Sequence, residues 1–161
     1  MVSSWYFGDV VPYQAFISDI AYLDFEVRLL AHLRDWGYEI IYKPHPLITT
    51  RPPTDFARRF GGIEINRPSE DVLHEADILI LPDPSSTAFA TSLESHLPAV
   101  FVDLGLFTHS ETALNNLRKR CAIVPASCGS DQRVSIEWDE LHSALLSLSK
   151  PQDNTYFQLF H

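Results

Sequence analysis

Two short stretches of this 161-residue sequence combine residue types that hold phosphate. The first is Lys43-Pro44-His45-Pro46. Prolines on both sides restrict the backbone, so the imidazole of His45 is aimed with little entropy loss, and Lys43 adds positive charge beside it. The second is Asp83-Pro84-Ser85-Ser86-Thr87, where hydroxyls and free backbone N–H groups coincide at the start of an expected helix. Such a start attracts anions through its unsatisfied donors and the helix dipole. Each stretch also has a plainer reading: Ser85 and Ser86 as helix caps, His45 as a turn residue packed on a neighbour, Lys43 as a solvated charge. Asp83 reads as a loop-bonding residue rather than a base, and no Ser-His-Asp arrangement emerges from the spacing.

The elements around these stretches decide whether they can meet. Trp5 to Gly8 is expected as a first strand, and Asp19 to Trp36 as a helix with apolar positions Ile20, Leu23, Val27, Leu30, Ala31 and Leu33, stopped by Gly37. Tyr38 to Tyr42 follows as a short β-branched and aromatic strand ended by Pro44 and Pro46. A short helix at 55–60, a strand at Ile63 to Ile65 and a helix at Ser69 to Glu75 precede the run Ile78 to Leu81, which suits a strand buried on both faces. Beyond it come a helix at Ala88 to Ser95, a strand at Pro98 to Val102 and a helix through Arg120 opened by a Thr108-x-x-Glu111 capping box. A strand at Cys121 to Val124 and a helix at Asp139 to Leu148 complete the series. The alternation predicts one α/β domain over residues 1–161, a Rossmann-like parallel sheet with helices on both faces. Ligands of such sheets gather at the carboxyl ends of the strands, which is where both stretches fall.

Composition narrows the ligand. Apolar residues make up 45% and charged residues 20%, as in ordinary globular domains, and the formal net charge of -9 disfavours broad binding to nucleic acid or anionic membrane. Any anion must therefore be held by local positive groups. Gly61-Gly62 is an isolated pair, and neither a G-x-G-x-x-G nor a Walker pattern occurs. Cys121 and Cys128 are too widely spaced for a C-x-x-C motif and read as reduced structural thiols. His32, His74, His96 and His142 fall singly on expected helices or their ends, so no metal and no cofactor is expected. No stretch reaches about 18 consecutive apolar residues and no signal-peptide layout is present, so the expected location is cytoplasmic, any contact with the inner face of the membrane being left to other parts of the enzyme.

The string Tyr42-Lys43-Pro44-His45-Pro46, then Asp71 to Ile80, then Asp83-Pro84-Ser85-Ser86-Thr87-Ala88-Phe89 resembles the carboxyl-terminal domain of CDP-glycerol glycerophosphotransferases, and also bacterial sialyl- and Kdo-transferases. The resemblance runs from about Trp5 to Phe101. It implies the donor half of a two-domain GT-B glycosyltransferase, in which an HP and an SS motif contact the phosphate of a CMP- or CDP-linked sugar or alcohol used for surface polysaccharide or teichoic-acid-type polymer synthesis. By that resemblance His45 is the catalytic candidate. Lys43, His45, Ser85, Ser86 and Thr87 become the donor phosphate-binding set, and Asn66 and Glu94 join as nucleotide contacts. One departure is Ala90, where the glycerophosphotransferase pattern tends to be acidic; Glu94 lies one turn later. The acceptor site and general base of GT-B enzymes lie on an amino-terminal domain, which is the missing partner here, so this domain alone is not expected to turn over acceptor. The apolar tail Tyr156 to Phe160 is expected to pack against that domain or on its own sheet.

Two other readings remain. A half of a UDP-sugar 2-epimerase-like enzyme shares the architecture and a histidine-proline loop, but such proteins usually carry glycine-rich and acidic residues where this chain has Ser85-Ser86-Thr87-Ala88. A non-catalytic α/β interaction module is the third, since fold alone does not fix function.

Overall fold

The computed structural model describes residues 2–4, 17–44, 56–82, 87–131 and 133–148. Among them seven strands form one sheet: β1 (Val2–Ser4), β2 (Ile41–Pro44), β3 (Ile63–Glu64), β4 (Leu79–Leu81), β5 (Ala99–Asp103), β6 (Ala122–Cys128) and β7 (Val134–Ile136), in the order β3-β2-β1-β4-β5-β6-β7. Every pairing from β3 to β6 is parallel, and β7 runs antiparallel to β6. The helices are α1 (Asp19–Asp35), α2 (Ser69–Val72), α3 (Thr87–Glu94), α4 (Glu111–Arg120) and α5 (Trp138–Ser147). The fold is α/β and Rossmann-like. Its strand order reverses at β1, the arrangement of doubly wound nucleotide-binding sheets.

Alternation along each strand divides the core. Tyr42, Ile80, Val100, Val102 and Val124 pack with α1 and α5, whereas Leu79, Leu81, Ala99 and Phe101 pack with α2, α3 and α4. Ser18 caps α1 by accepting from the Ala21 N–H at 3.3 Å. The buried stripe of α1 is Ala21, Tyr22, Phe25, Glu26, Leu29, Leu30 and Leu33, while Ile20 is 81% exposed and Val27 36% exposed. The apolar face expected through Ile20 and Val27 is thus rotated, because Tyr22 and Phe25 supply the larger surfaces at i, i+3, i+7 spacing and win the core.

Other boundaries also shift. Among the described residues the first strand is Val2–Ser4, and the strand expected at Trp5 to Gly8 lies outside them. Backbone pairing on both sides, with β2 and β4, holds three residues that local propensity does not favour. β2 runs on through Pro44 instead of ending before it, and the short helix at 55–60 is a 3₁₀ turn, Ala57–Phe60, closed by Gly61 at φ 76. α4 is not opened by Thr108. Ser110, directly before the first helical residue, accepts from the Ala113 N–H at 3.2 Å, and Thr108 stands two residues too early. The wholly parallel sheet expected is extended by β7, whose Val134 is buried and whose Val134 carbonyl accepts from Arg28 Nη2 at 2.7 Å. Three short residues after a polar turn gave too little alternation to read as a strand.

Burial pushes the Cys121 thiol up to about 12, with the neighbouring Arg120 guanidinium opposing, which agrees with a structural, reduced thiol. Among the described residues no helix is long and apolar enough to cross a membrane.

Candidate functional site

Pairing register brings the strands that precede the two phosphate-type stretches to one level. Val2 stands opposite Tyr42 on one side and Ile80 on the other. Two residues beyond Tyr42 is Pro44, after which His45 follows; two beyond Ile80 is Pro82, after which Asp83 to Ser86 follow. β2 and β4 end at about the same level, on either side of β1, roughly 10 Å apart at two strand spacings. This is the carboxyl-end crevice at the point where strand order reverses. His45, Pro46 and Asp83 to Ser86 lie outside the described residues, and Thr87 opens α3 on the far side of that gap.

Lys43 is 4% exposed, so it is not the solvated charge of the plainer reading. Its Nζ donates to the Pro44 carbonyl at 3.1 Å, and no carboxylate lies within ion-pair distance of it among the described residues. Desolvation pulls its pKa below the ordinary lysine value, and the Glu70 carboxylate raises it partway back. A buried ammonium with donors to spare is costly for an empty domain and useful to one that receives an anion. On the other face of β2, the Tyr42 hydroxyl donates to Glu26 Oε2 at 3.1 Å, both groups fully buried, which anchors α1 under the same strand end.

Lys43→Met is therefore expected to stabilise the ligand-free domain at neutral pH. Because the folded pKa is lowered, the unfolded chain binds more protons between that value and about 10.4, and wild-type stability climbs with pH through this window. Denaturant unfolding at pH 7 and pH 10 should show the variant's advantage shrinking at the higher pH. An advantage independent of pH would mean that the ammonium is not what sets the difference.

The remaining candidates separate. Asn66 follows β3 at the same end of the sheet but near its edge, exposed, with its amide donating weakly to Glu64 Oε1 at 3.5 Å. Glu94 is the last residue of α3, about 10 Å along the helix axis from Thr87, where the chain turns back toward the amino end of β5. The structure does not bring Glu94 to the strand ends that carry Lys43.

A residue that the spacing argument passed over does lie there. His109 follows β5 at its carboxyl end, meets Phe101 edge-on at 5.9 Å and 89°, and has a buried Nε2 with no hydrogen-bond partner. Its place in the loop between β5 and α4 was the available signal. His32 and His142 are structural: His32 stacks on Trp138 at 4.2 Å and His142 on Trp36 at 4.3 Å, joining α1 to α5. Among the described residues no group of three His, Cys, Asp or Glu could hold a metal ion.

A cavity of about 270 Å³ opens at the opposite end of the sheet, with Leu33, Ile80 and Leu145 on its apolar side and Glu39, Glu75 and Asp77 as its acidic groups. That charge repels phosphate, and the position is the amino end of the strands, so the crevice at the carboxyl ends is the better candidate. Compared with known proteins, the chain matches no family model, no curated protein and no solved structure.

Proposed function

We propose that this domain binds the phosphate of a CMP- or CDP-activated sugar or alcohol, as the donor-side half of a GT-B glycosyltransferase or glycerophosphotransferase acting in surface-polymer synthesis. The observation that carries the reading is the register of β1, which sets the ends of β2 and β4, and hence the roots of the His45 and Ser85-Ser86 stretches, at one level astride the strand-order reversal. Lys43 at the end of β2 supports it as a buried cation in a chain of net charge -9.

In this reading His45 and the entry to α3 stabilise negative charge developing on the leaving nucleotide, so the domain contributes electrostatics, and the acceptor and its base come from elsewhere in the enzyme. Calorimetric titration with CMP, CDP, UMP and UDP tests it. A preference for cytidine nucleotides is expected. Preference for uridine nucleotides would favour the epimerase-like reading, and no binding of any of the four would favour the interaction module.

A further inference from the structure

His109 is a polar group that the fold leaves unused. A neutral imidazole carries one N–H donor and one acceptor lone pair, and Nε2 is buried with no partner in either role. An unsatisfied buried polar atom is destabilising, so it calls for a reason beyond packing. Packing alone does not supply one, because a phenylalanine would meet Phe101 edge-on as well, without the cost.

Its surroundings point to the reason. Phe101 also meets Phe89 of the first turn of α3, at 5.3 Å and 72°, so the imidazole and that turn share one aromatic ring. Phe101 and Leu81 face α3 and α4, and Lys43, next to Tyr42 in β2, is directed to this same face, opposite to that of Tyr42. From β2 to β5 the strand order is β2-β1-β4-β5. Lys43 therefore lies on β2 and the His109 ring on Phe101 of β5, with β1 and β4 between the two strands and the first turn of α3 on the same Phe101 ring; Lys43 gives one bond, to its neighbour's carbonyl, and His109 Nε2 has no partner.

We propose that His109 is a phosphate-contacting residue of this crevice, its Nε2 donating to an oxygen of a phosphate-bearing ligand seated between it and Lys43. The location of the ligand rests on the donor-site reading above; the role of His109 extends it to the loop after β5. A phosphate oxygen supplies the acceptor that the protein withholds, and a charge-assisted bond of this kind is among the stronger ones. The ligand must displace whatever covers the ring nitrogen, so its arrival is legible at that atom.

The test uses the whole chain with inorganic pyrophosphate and CMP as probes, and the variants His109→Phe and His109→Gln. His109→Phe keeps the contact with Phe101 and is expected to melt no earlier than wild type while binding both probes about tenfold or more weakly. His109→Gln, whose amide nitrogen reaches a position close to Nε2, is expected to recover most of the affinity. Unchanged affinity for both probes in His109→Phe overturns the proposal. Should His109→Phe unfold early, the imidazole nitrogen resonances of the wild-type chain decide: pyrophosphate should shift His109 Nε2 and leave His32 and His142 in place, and no shift at His109 overturns it. Pyrophosphate binding without a cytidine preference would sink the donor-nucleotide reading alone and leave the His109 comparison standing; binding of neither probe would overturn both.

Discussion

Replacing Arg120 by methionine is expected to lower the unfolding free energy by about 3 to 5 kcal/mol, the range for loss of a buried charged network. Arg120 ends α4, is 2% exposed, and its guanidinium donates to four carbonyls around the carboxyl end of α3. Nε reaches Leu93 O at 2.5 Å, and Nη2 reaches Ser92 O at 3.1 Å, Ser95 O at 2.6 Å and Leu97 O at 3.1 Å. Ser92 and Leu93 are among the last four residues of α3, whose carbonyls lack intrahelical donors, while Ser95 and Leu97 follow the helix; all four are answered by a cation placed where the helix dipole is negative. Methionine fills much of the volume but takes a donor from all four carbonyls, of which Ser92 O keeps the Ser95 hydroxyl at 2.6 Å. In a domain of this size the loss corresponds to a melting temperature lower by roughly 6 to 20 °C. Arg120→Lys should recover only part of it, because one ammonium cannot reach four acceptors spread from Ser92 to Leu97. Chemical denaturation with an unchanged slope is the measurement. A loss below about 1 kcal/mol for Arg120→Met would show that water replaces the guanidinium without difficulty.

Ser86→Asp is expected to abolish stabilisation of the domain by nucleotide while leaving the melting temperature of the free protein near the wild-type value. Ser86 immediately precedes the first residue of α3, and aspartate offers an acceptor oxygen for helix entry as good as that of serine. Its negative charge also suits the helix dipole, so the fold loses nothing, but the same charge faces any phosphate approaching the helix entry. A ligand at about 100 times its dissociation constant stabilises by about 2.7 kcal/mol, a rise of about 5 to 10 °C at this chain length, and that rise should vanish. The double alanine variant at Ser85 and Ser86 gives the complementary contrast. Loss of a cap lowers stability by about 0.5 to 2 kcal/mol under any reading, but only phosphate contact makes the affinity loss larger for CMP than for cytidine. Intact CMP-dependent stabilisation in Ser86→Asp would falsify the donor-site reading at its main support.

The α/β class, the sheet with helices on both faces and most element positions were legible along the chain, because alternating apolar runs and helical spacing are local signals. Also legible was that the two phosphate-type stretches follow strands, since the run Ile78 to Leu81 and the residues around Tyr42 carry the composition of buried strands. The rest came from contacts distant in sequence. Val2–Ser4 becomes a strand through pairing on both sides, which no local window contains, and β7 exists because β6 offers an edge to pair with antiparallel. The choice of Tyr22 and Phe25 over Ile20 and Val27 for the buried face of α1 was a competition among neighbours in space, as was the drawing of Lys43 into the interior. Arg120 read as the basic end of a helix and His109 as a loop residue. Their roles depend on carbonyls at Leu93 and Leu97 and on the ring of Phe101, groups that long-range folding delivers and that spacing along the chain cannot encode.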